Sequence, residues 1–161
     1  MEESNAEWAE LTRDCLVNIL SRLSARDQWL GAICPNLEVL SIRNCYVSDD
    51  CISKISLGCP NLRELDISNC SEITHESFVL LGRNCFNLKV LKRNMRNKYR
   101  FHPSQHNEVV PNNFLIARMQ EADSEAAAVA NSLPHLEWLE ISFLGLTAKG
   151  LKSICQGCPK S

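Results

Sequence analysis

The sequence predicts an α/β solenoid, in which about four strand–helix units stack with parallel strands side by side and helices on the outside. The first observation is a pattern, Leu-x-x-Leu-x-Ile-x-x-Cys, that returns with varying fidelity from Leu37, Leu62, Leu88 and Leu136. The second is that apolar residues at helical spacing follow these copies. A repeated strand–helix unit gives a parallel sheet, because each new strand is reached through a helical crossover.

The strand half of each unit alternates apolar and polar residues. The clearest segments are LEVLSIR at 37–43, LRELDIS at 62–68 and LEWLEIS at 136–142. A period of two is typical of a strand that buries one face. Successive copies begin 25, 26 and 48 residues apart, and the last interval indicates an insertion of about 22 residues. Intervals of about 20–29 residues are typical of leucine-rich repeats.

The helical half of each unit has apolar residues three or four positions apart. Ser48, Thr74 and Thr147 precede the helices, where a side-chain oxygen can accept from a free backbone N–H. The predicted buried positions are Ile52, Ile55 and Cys59, then Phe78, Leu81 and Cys85, then Leu151, Ile154 and Cys158.

The third unit departs from the pattern. It has Arg93 at the isoleucine position and Arg96 at the cysteine position that ends the pattern. Since a buried arginine is costly unless it is paired, we expect this strand to end early and the chain to leave the stack there. The insertion at about 95–121 contains two prolines and few periodic apolar residues, which predicts a long loop.

After the insertion the sequence returns to the order of helix and then strand. Asp123 or Ser124 is expected to cap this helix. Its predicted apolar face consists of Ala126, Val129, Ala130 and Leu133.

Composition restricts the class of protein. The 161 residues suit one domain, and the net charge of −2 gives no general attraction to nucleic acid or to an acidic membrane. The chain has no apolar run of about 18 residues, and its acidic N-terminus does not resemble a signal peptide. We therefore expect the nucleus or the cytoplasm, where an odd set of nine cysteines favours free thiols over disulfides.

The repeat resembles a known family. The unit Cys-Pro-Asn-Leu-x-x-Leu-x-Ile-x-x-Cys covers residues 34–159 apart from the insertion, and it is similar to the cysteine-containing leucine-rich repeat of F-box proteins. Residues 8–30 resemble the first half of an F-box, with Thr12 in place of the usual proline. The whole chain is similar to the plant F-box/leucine-rich-repeat group called Skp-interacting partners.

This resemblance implies a non-catalytic substrate receptor of an SCF ubiquitin ligase. In such a ligase the F-box binds the Skp adaptor, the adaptor binds a cullin, and the repeats hold the target protein. The residues that the resemblance implies in adaptor binding are Leu11, Asp14, Leu16, Ile19, Leu20 and Leu23.

The N-terminal segment also differs from a complete F-box. The first repeat begins at Cys34, soon after Trp29, and the usual later Val-Cys-x-x-Trp segment is missing. Two interpretations of the apolar stripe from Leu16 to Leu23 therefore stay open. It either binds the adaptor as a helix in a groove, or folds back over the open edge of the first repeat. In the second case the chain is a shortened, stand-alone repeat module that binds a partner but cannot join the ligase.

The polar positions of the strands point to the side of the sheet away from the helices, which we call the inner face. This is the usual binding surface of a solenoid, although such residues are also often merely solvated. Trp138 is notable because an exposed aromatic residue can anchor an interface. The predicted target-binding residues are Arg43, Glu64, Asp66, Lys92, Trp138 and Glu140.

Two further groups of residues suggest other kinds of site. The basic stretch at 88–102 is a solvated loop, which we favour, a localisation or nucleic-acid patch, or a contact for the target protein. A zinc site could combine two histidines of the insertion with Cys155 and Cys158, but the repeat places both cysteines on an apolar helix face. No motif of a catalytic site occurs, so we expect no enzymatic activity, cofactor, metal, nucleic acid or membrane partner.

Overall fold

The computed structural model describes residues 35–95, 112–142 and 145–158. The predicted helix of the partial F-box lies outside these residues. The elements are β1 (Val39–Ser41), α1 (Asp49–Gly58), β2 (Glu64–Asp66), α2 (His75–Asn84), β3 (Val90–Asn94), α3 (Asn112–Ser132), β4 (Trp138–Ser142) and α4 (Ala148–Gly157).

The four described strands form one parallel sheet in the order β1-β2-β3-β4. Corresponding leucines of the repeat lie opposite one another, at Leu40, Leu65, Leu91 and Leu139. Each of α1, α2 and α3 packs against the next helix in the chain. The predicted fold, a leucine-rich-repeat solenoid with parallel strands and outer helices, is confirmed.

The core lies between the sheet and the helices. Leu65, Leu91, Ile52 and Phe78 are completely buried there. The prediction for α4 is only half right, because Ile154 and Cys158 are buried while Leu151 and Cys155 are exposed. Among the residues that the structure describes, no helix packs against the side of α4 that carries Leu151 and Cys155.

Cysteines end the helices and follow the strands, as the repeat predicts. Cys59, Cys85 and Cys158 each follow the last residue of a helix, and their N–H groups donate to carbonyls of that helix. Cys70 lies after β2 and its thiol donates to the carbonyl of Ile42 at 3.0 Å. Burial raises the pKa of Cys85 to about 11. The seven described cysteines are thiols, and none of them forms a disulfide.

The prediction that the third strand ends early at Arg93 is wrong. The strand continues because the charge of Arg93 is paired inside the protein. β3 continues to Asn94 and the Arg93 side chain is 1% exposed. Its guanidinium donates to both carboxylate oxygens of Glu125, at 3.0 and 3.2 Å. It also donates to the carbonyls of Cys70 at 2.8 Å and Ile73 at 3.2 Å. These partners replace the water that Arg93 loses, so the buried charge is tolerated.

The helix after the insertion begins earlier than predicted. α3 starts at Asn112, so residues 112–121 are helical rather than part of a loop. Asp123 stands three residues before Ala126, as Asp49 stands before Ile52, so the second half of α3 is the expected repeat helix. The first half extends that helix without a break. Its sequence is rich in helix formers but lacks the one-sided apolar periodicity that predicts a helix. In the structure four of its apolar residues, Phe114, Leu115, Ile116 and Met119, are exposed.

Carboxylates on two helices hold the start of the next helix in the chain. Asp49 accepts from the backbone N–H of Thr74 at 2.9 Å, from the Thr74 hydroxyl at 2.8 Å, and from the Ser77 hydroxyl. Asp123 accepts from the backbone N–H and hydroxyl of Thr147 at 3.0 and 2.6 Å. We call each arrangement an aspartate–threonine clasp, and it ties neighbouring units together.

The threonines of the clasps also cap their own helices, as predicted. Thr74 accepts from the N–H of Glu76, and Thr147 from the N–H of Lys149. The prediction for Ser48 is wrong, because its side chain makes no capping bond and donates to the Cys51 sulfur at 3.7 Å instead.

Removing one partner of the Arg93–Glu125 pair is expected to destabilise the protein strongly. Glu125→Ala leaves a buried guanidinium without its carboxylate, which costs about 3–5 kcal/mol of unfolding free energy. The double variant Arg93→Ile with Glu125→Ala restores the isoleucine of the other units. Its loss of unfolding free energy is expected to be smaller than the sum of the losses in Arg93→Ile and Glu125→Ala. Urea denaturation of the four proteins measures this. Simple additivity would contradict the pairing.

The clasp at Asp49 makes stability depend on pH. Burial opposes ionisation of Asp49, but the hydrogen bonds from Ser77 and Thr74 outweigh it and hold the pKa below its ordinary value of 3.8. This stabilisation is present above about pH 4 and is lost as the pH falls through the lower, folded-state pKa. Asp49→Asn is therefore expected to be less stable than the parent at pH 7 and to lose less further stability between pH 5 and pH 3.

Thermal melts across this pH range test the clasp. Asp50→Asn changes the exposed carboxylate next in sequence and is the matched control, expected to keep the parent's loss of stability in acid. Equal slopes for Asp49→Asn and the parent would exclude the clasp as a source of acid sensitivity.

Candidate functional site

The inner face of the sheet presents three rows of side chains. Since Leu40, Leu65 and Leu91 point into the core, their neighbours along each strand point the other way. The strand register sets the rows. They contain first Val39, Glu64, Val90 and Trp138, then Ser41, Asp66, Lys92 and Glu140, then Arg43, Ser68, Asn94 and Ser142. All six residues predicted to bind a target therefore lie on one surface.

Two ion pairs link neighbouring strands across this face. The side chain of Lys92 on β3 reaches across to β2, where its ammonium contacts Glu64 at 2.5 Å. That hydrogen bond, with the negative charges of Asp66 and Glu140 nearby, raises the pKa of Lys92, so the side chain stays charged at neutral pH. Arg43 contacts Asp66 at 3.3 Å. The pairs hold long side chains in place, which reduces the rotamer freedom left to lose on binding.

Asp66 has a structural position rather than the exposed one that the sequence predicted. It is 7% exposed, and its carboxylate accepts the Ser68 N–H at 3.0 Å in addition to the bond with Arg43. Ser68 is also buried, and its hydroxyl accepts the N–H of Asn94 at 3.2 Å. Strand alternation predicts the direction of a side chain but not how closely its neighbours cover it.

Apolar side chains stand exposed in the first row. Trp138 is 61% exposed and Val39 57% exposed, at opposite ends of the row. Val90 is half-buried and is the register partner of Trp138 on the neighbouring strand. Trp138 is thus the largest exposed apolar side chain of the inner face among the residues that the structure describes.

Glu140 differs from the other charged residues of this face. It is exposed, and the amide of Asn94 donates to its carboxylate at 2.5 Å. Within residues 35–95, 112–142 and 145–158, no salt bridge includes it. A carboxylate that accepts a hydrogen bond from an amide and forms no salt bridge among the described residues therefore lies two residues from the exposed Trp138.

A groove at the start of the strands was missed by sequence analysis. Its lining consists of Asn36, Glu38, Asn61, Arg63, Asn87 and Lys89. The Asn61 amide donates to the carbonyl of Pro35 at 2.8 Å, and the Asn87 amide to the Asn61 side chain at 3.4 Å. The recurring asparagine of the repeat was the signal available, and it indicates that these side chains connect successive loops.

The remaining predicted residues are distributed as follows. Three of these sets lie outside the described residues. They are the six implied adaptor-binding residues, the two histidines of the possible zinc site, and the part of the basic stretch from 96 onward. The described cations of that stretch are each paired, Lys89 with Glu137, Lys92 with Glu64, and Arg93 with Glu125. The described part of the chain has no cluster of three or more histidine, cysteine or acidic residues that could hold a metal.

The helices of the described segments are all too short or too polar to cross a membrane.

Comparisons with known proteins identify relatives along nearly the whole chain. No protein-family model matches it. It is 44% identical to F-box protein SKIP1 of Arabidopsis thaliana, over 99% of this chain and 52% of that protein. It is 33% identical to F-box/LRR-repeat protein 19 of the same plant, over 94% of this chain and 76% of that protein. F-box/LRR-repeat protein 23 is 31% identical over 94% of this chain and 28% of its own length.

The lengths of these alignments also differ from that of the chain. The chain spans about half the length of SKIP1. Its alignment with F-box/LRR-repeat protein 19 has 230 positions, more than the 161 residues present, so that relative carries segments with no counterpart in this chain.

The exposed residues of the inner face are expected to contribute little to folding. Trp138→Thr keeps a residue that suits a strand, Glu140→Gln keeps the shape of the side chain, and each is expected to change the unfolding free energy by less than about 1 kcal/mol. Leu91→Ala, at a completely buried position of the same sheet, is expected to cost about 2–5 kcal/mol. Chemical denaturation measures all three. A large loss for Trp138→Thr would assign the indole a packing role.

Proposed function

Because the chain belongs to the family of F-box/LRR-repeat proteins, we propose that it is a substrate-recognition subunit of an SCF-type ubiquitin ligase. Such a subunit is not an enzyme and performs no bond-making step itself. It holds a target protein beside the ubiquitin-charged conjugating enzyme and so raises the effective concentration of the target lysine. The similarity to SKIP1 across 99% of the chain carries this proposal, since it includes the N-terminal segment as well as the repeats.

The N-terminal segment is the proposed binding site for the Skp adaptor, which connects the subunit to a cullin. Leu16, Ile19, Leu20 and Leu23 are spaced to form one apolar side of a helix. A helix of this kind binds by laying its apolar side into a hydrophobic groove. Leu11 and Asp14 complete the set of proposed contacts.

The inner face is the proposed binding site for the target. It lies on paired strands, and the Arg43–Asp66 and Lys92–Glu64 ion pairs connect neighbouring strands across it. A rigid surface loses less conformational entropy on association than a loop does. Glu64, Lys92, Trp138 and Glu140 are the proposed contacts, with Arg43 at the edge. Asp66 is buried and holds Arg43 and the backbone N–H of Ser68 in place.

A second function is favoured by the alignment with F-box/LRR-repeat protein 19. That relative contains segments that this chain lacks, and the Val-Cys-x-x-Trp segment that is usual in an F-box does not occur after Trp29. In this alternative the chain is a stand-alone repeat module. It binds a target through the same inner face but does not join the ligase, and it would compete with complete receptors. For both functions we propose that the protein acts in the nucleus or the cytoplasm.

Copurification with a plant Skp adaptor separates the two functions. We expect the parent chain to form a complex with the adaptor, and Leu16→Glu with Leu20→Glu to abolish it, because two carboxylates cannot enter an apolar groove. Trp138→Thr is the matched control and is expected to bind the adaptor like the parent.

The outcomes of this experiment are distinct. No complex with the parent chain would exclude the ligase function and leave the stand-alone module. A complex that survives the double substitution would show that the proposed helix is not the contact.

A further inference from the structure

We propose that the inner face recognises a basic segment of its target, and that one arginine or lysine side chain of that segment lies over Trp138 with its charge against Glu140. This inference rests on the proposed target-binding function and specifies the chemistry of the partner.

The geometry of β4 brings an aromatic surface and a carboxylate within reach of one long side chain. Trp138 and Glu140 are two residues apart on the same strand, so their Cα atoms are about 7 Å apart and both side chains point to the inner face. A cation is attracted to an indole when it lies within about 6 Å of the ring. An arginine or lysine has a long apolar stem that can cover Trp138 and Val90 while its charged end reaches Glu140.

The charges of the face leave Glu140 as the site for an incoming cation. Lys92 is the nearest described cation in the register, but its ammonium is bound to Glu64 at 2.5 Å. Arg43 forms a salt bridge with Asp66 at 3.3 Å. Among the residues that the structure describes, the charged side chains of the inner face are three carboxylates and two cations. Both cations form their salt bridges with carboxylates other than Glu140, and Lys92 interacts with Glu140 only through its nearby charge.

The carboxylate of Glu140 is also oriented before binding. The Asn94 amide holds one of its oxygens at 2.5 Å, and Asn94 itself is fixed by the bond from its N–H to the Ser68 hydroxyl. Because Glu140 is exposed, a guanidinium or ammonium can reach its carboxylate and donate to the oxygen that Asn94 does not bind. An anchor held in this way loses little side-chain entropy when the target arrives.

Other kinds of target segment fit this surface less well. An acidic segment would place like charges beside Glu140 and the excess carboxylate of the face. A purely apolar segment could cover Trp138 but would remove water from Glu140 without offering it a partner. A cationic side chain satisfies the indole and the carboxylate together, and arginine is favoured because it stacks on aromatic rings more often than lysine does.

Binding of short peptides to the full chain tests this inference. We would use four mixtures of acetylated, amidated heptapeptides with uncharged flanking positions and with arginine, citrulline, leucine or glutamate in the centre. Citrulline is the neutral isostere of arginine and isolates the charge. The readout is the indole N–H signal of Trp138 in NMR spectra, identified by its loss in Trp138→Thr.

The arginine mixture is expected to shift this signal at about fivefold lower concentration than the citrulline mixture at low salt, in line with an exposed cation–π contact plus a surface ion pair. Glu140→Gln is expected to remove most of this preference. Glu76→Gln, an equal charge change in the first turn of α2, is the matched control and is expected to keep it. Added salt should reduce the preference, because the pair is exposed.

The possible failures of this inference and of the proposed function can be told apart. Stronger binding of the leucine or glutamate mixture, or an arginine preference unchanged in Glu140→Gln, would overturn the inference and leave the inner face as a target site. No shift of the Trp138 signal with any mixture at millimolar peptide would count against both. Membership of the ligase is decided separately, by copurification with the adaptor.

Discussion

The alignment of one leucine from each strand across the sheet is the constraint on which the rest of the structure depends. Leu40, Leu65, Leu91 and Leu139 lie opposite one another, so every strand turns the same face to the helices. Because side chains alternate along a strand, a slip of one residue would expose the leucines and bury the charged row beside them. One requirement therefore fixes both the core and the order of side chains on the inner face. The candidate site is a consequence of how the core is packed.

The third unit shows how this constraint accommodates an exception. Arg93 occupies a core position, and the register still continues through it to β4 because Glu125 and nearby carbonyls receive its donors. The pair connects β3 to the helix that follows the insertion. A buried ion pair of this kind is poorly satisfied in any other arrangement of the chain, so it helps to specify which helix covers which strand.

Much of this architecture could be predicted from the sequence, because the repeat displays the periods of strands and helices several times over. The buried residues Ile52, Phe78 and Leu81 and the direction of Trp138 follow from spacing alone. Three features could not be predicted in this way. The strand through Arg93 depends on Glu125, which lies 32 residues away, and spacing within one unit does not reveal such a partner. The start of α3 lacks a one-sided apolar pattern. The burial of Asp66 depends on neighbours from other strands.

The continuity of α3 has a consequence for how this protein can change over time. Seven residues separate β1 from α1 and eight separate β2 from α2, whereas 28 lie between Asn94 and Asp123, where the repeat helix would start. The aspartate–threonine clasp at Asp123 and the pair at Glu125 secure the helix downstream of this junction. Added length here is therefore decoupled from the stacking of the units. The junction is a place where evolution can lengthen or trim the chain, or where an engineer can graft a reporter, without changing the strand register that sets the inner face.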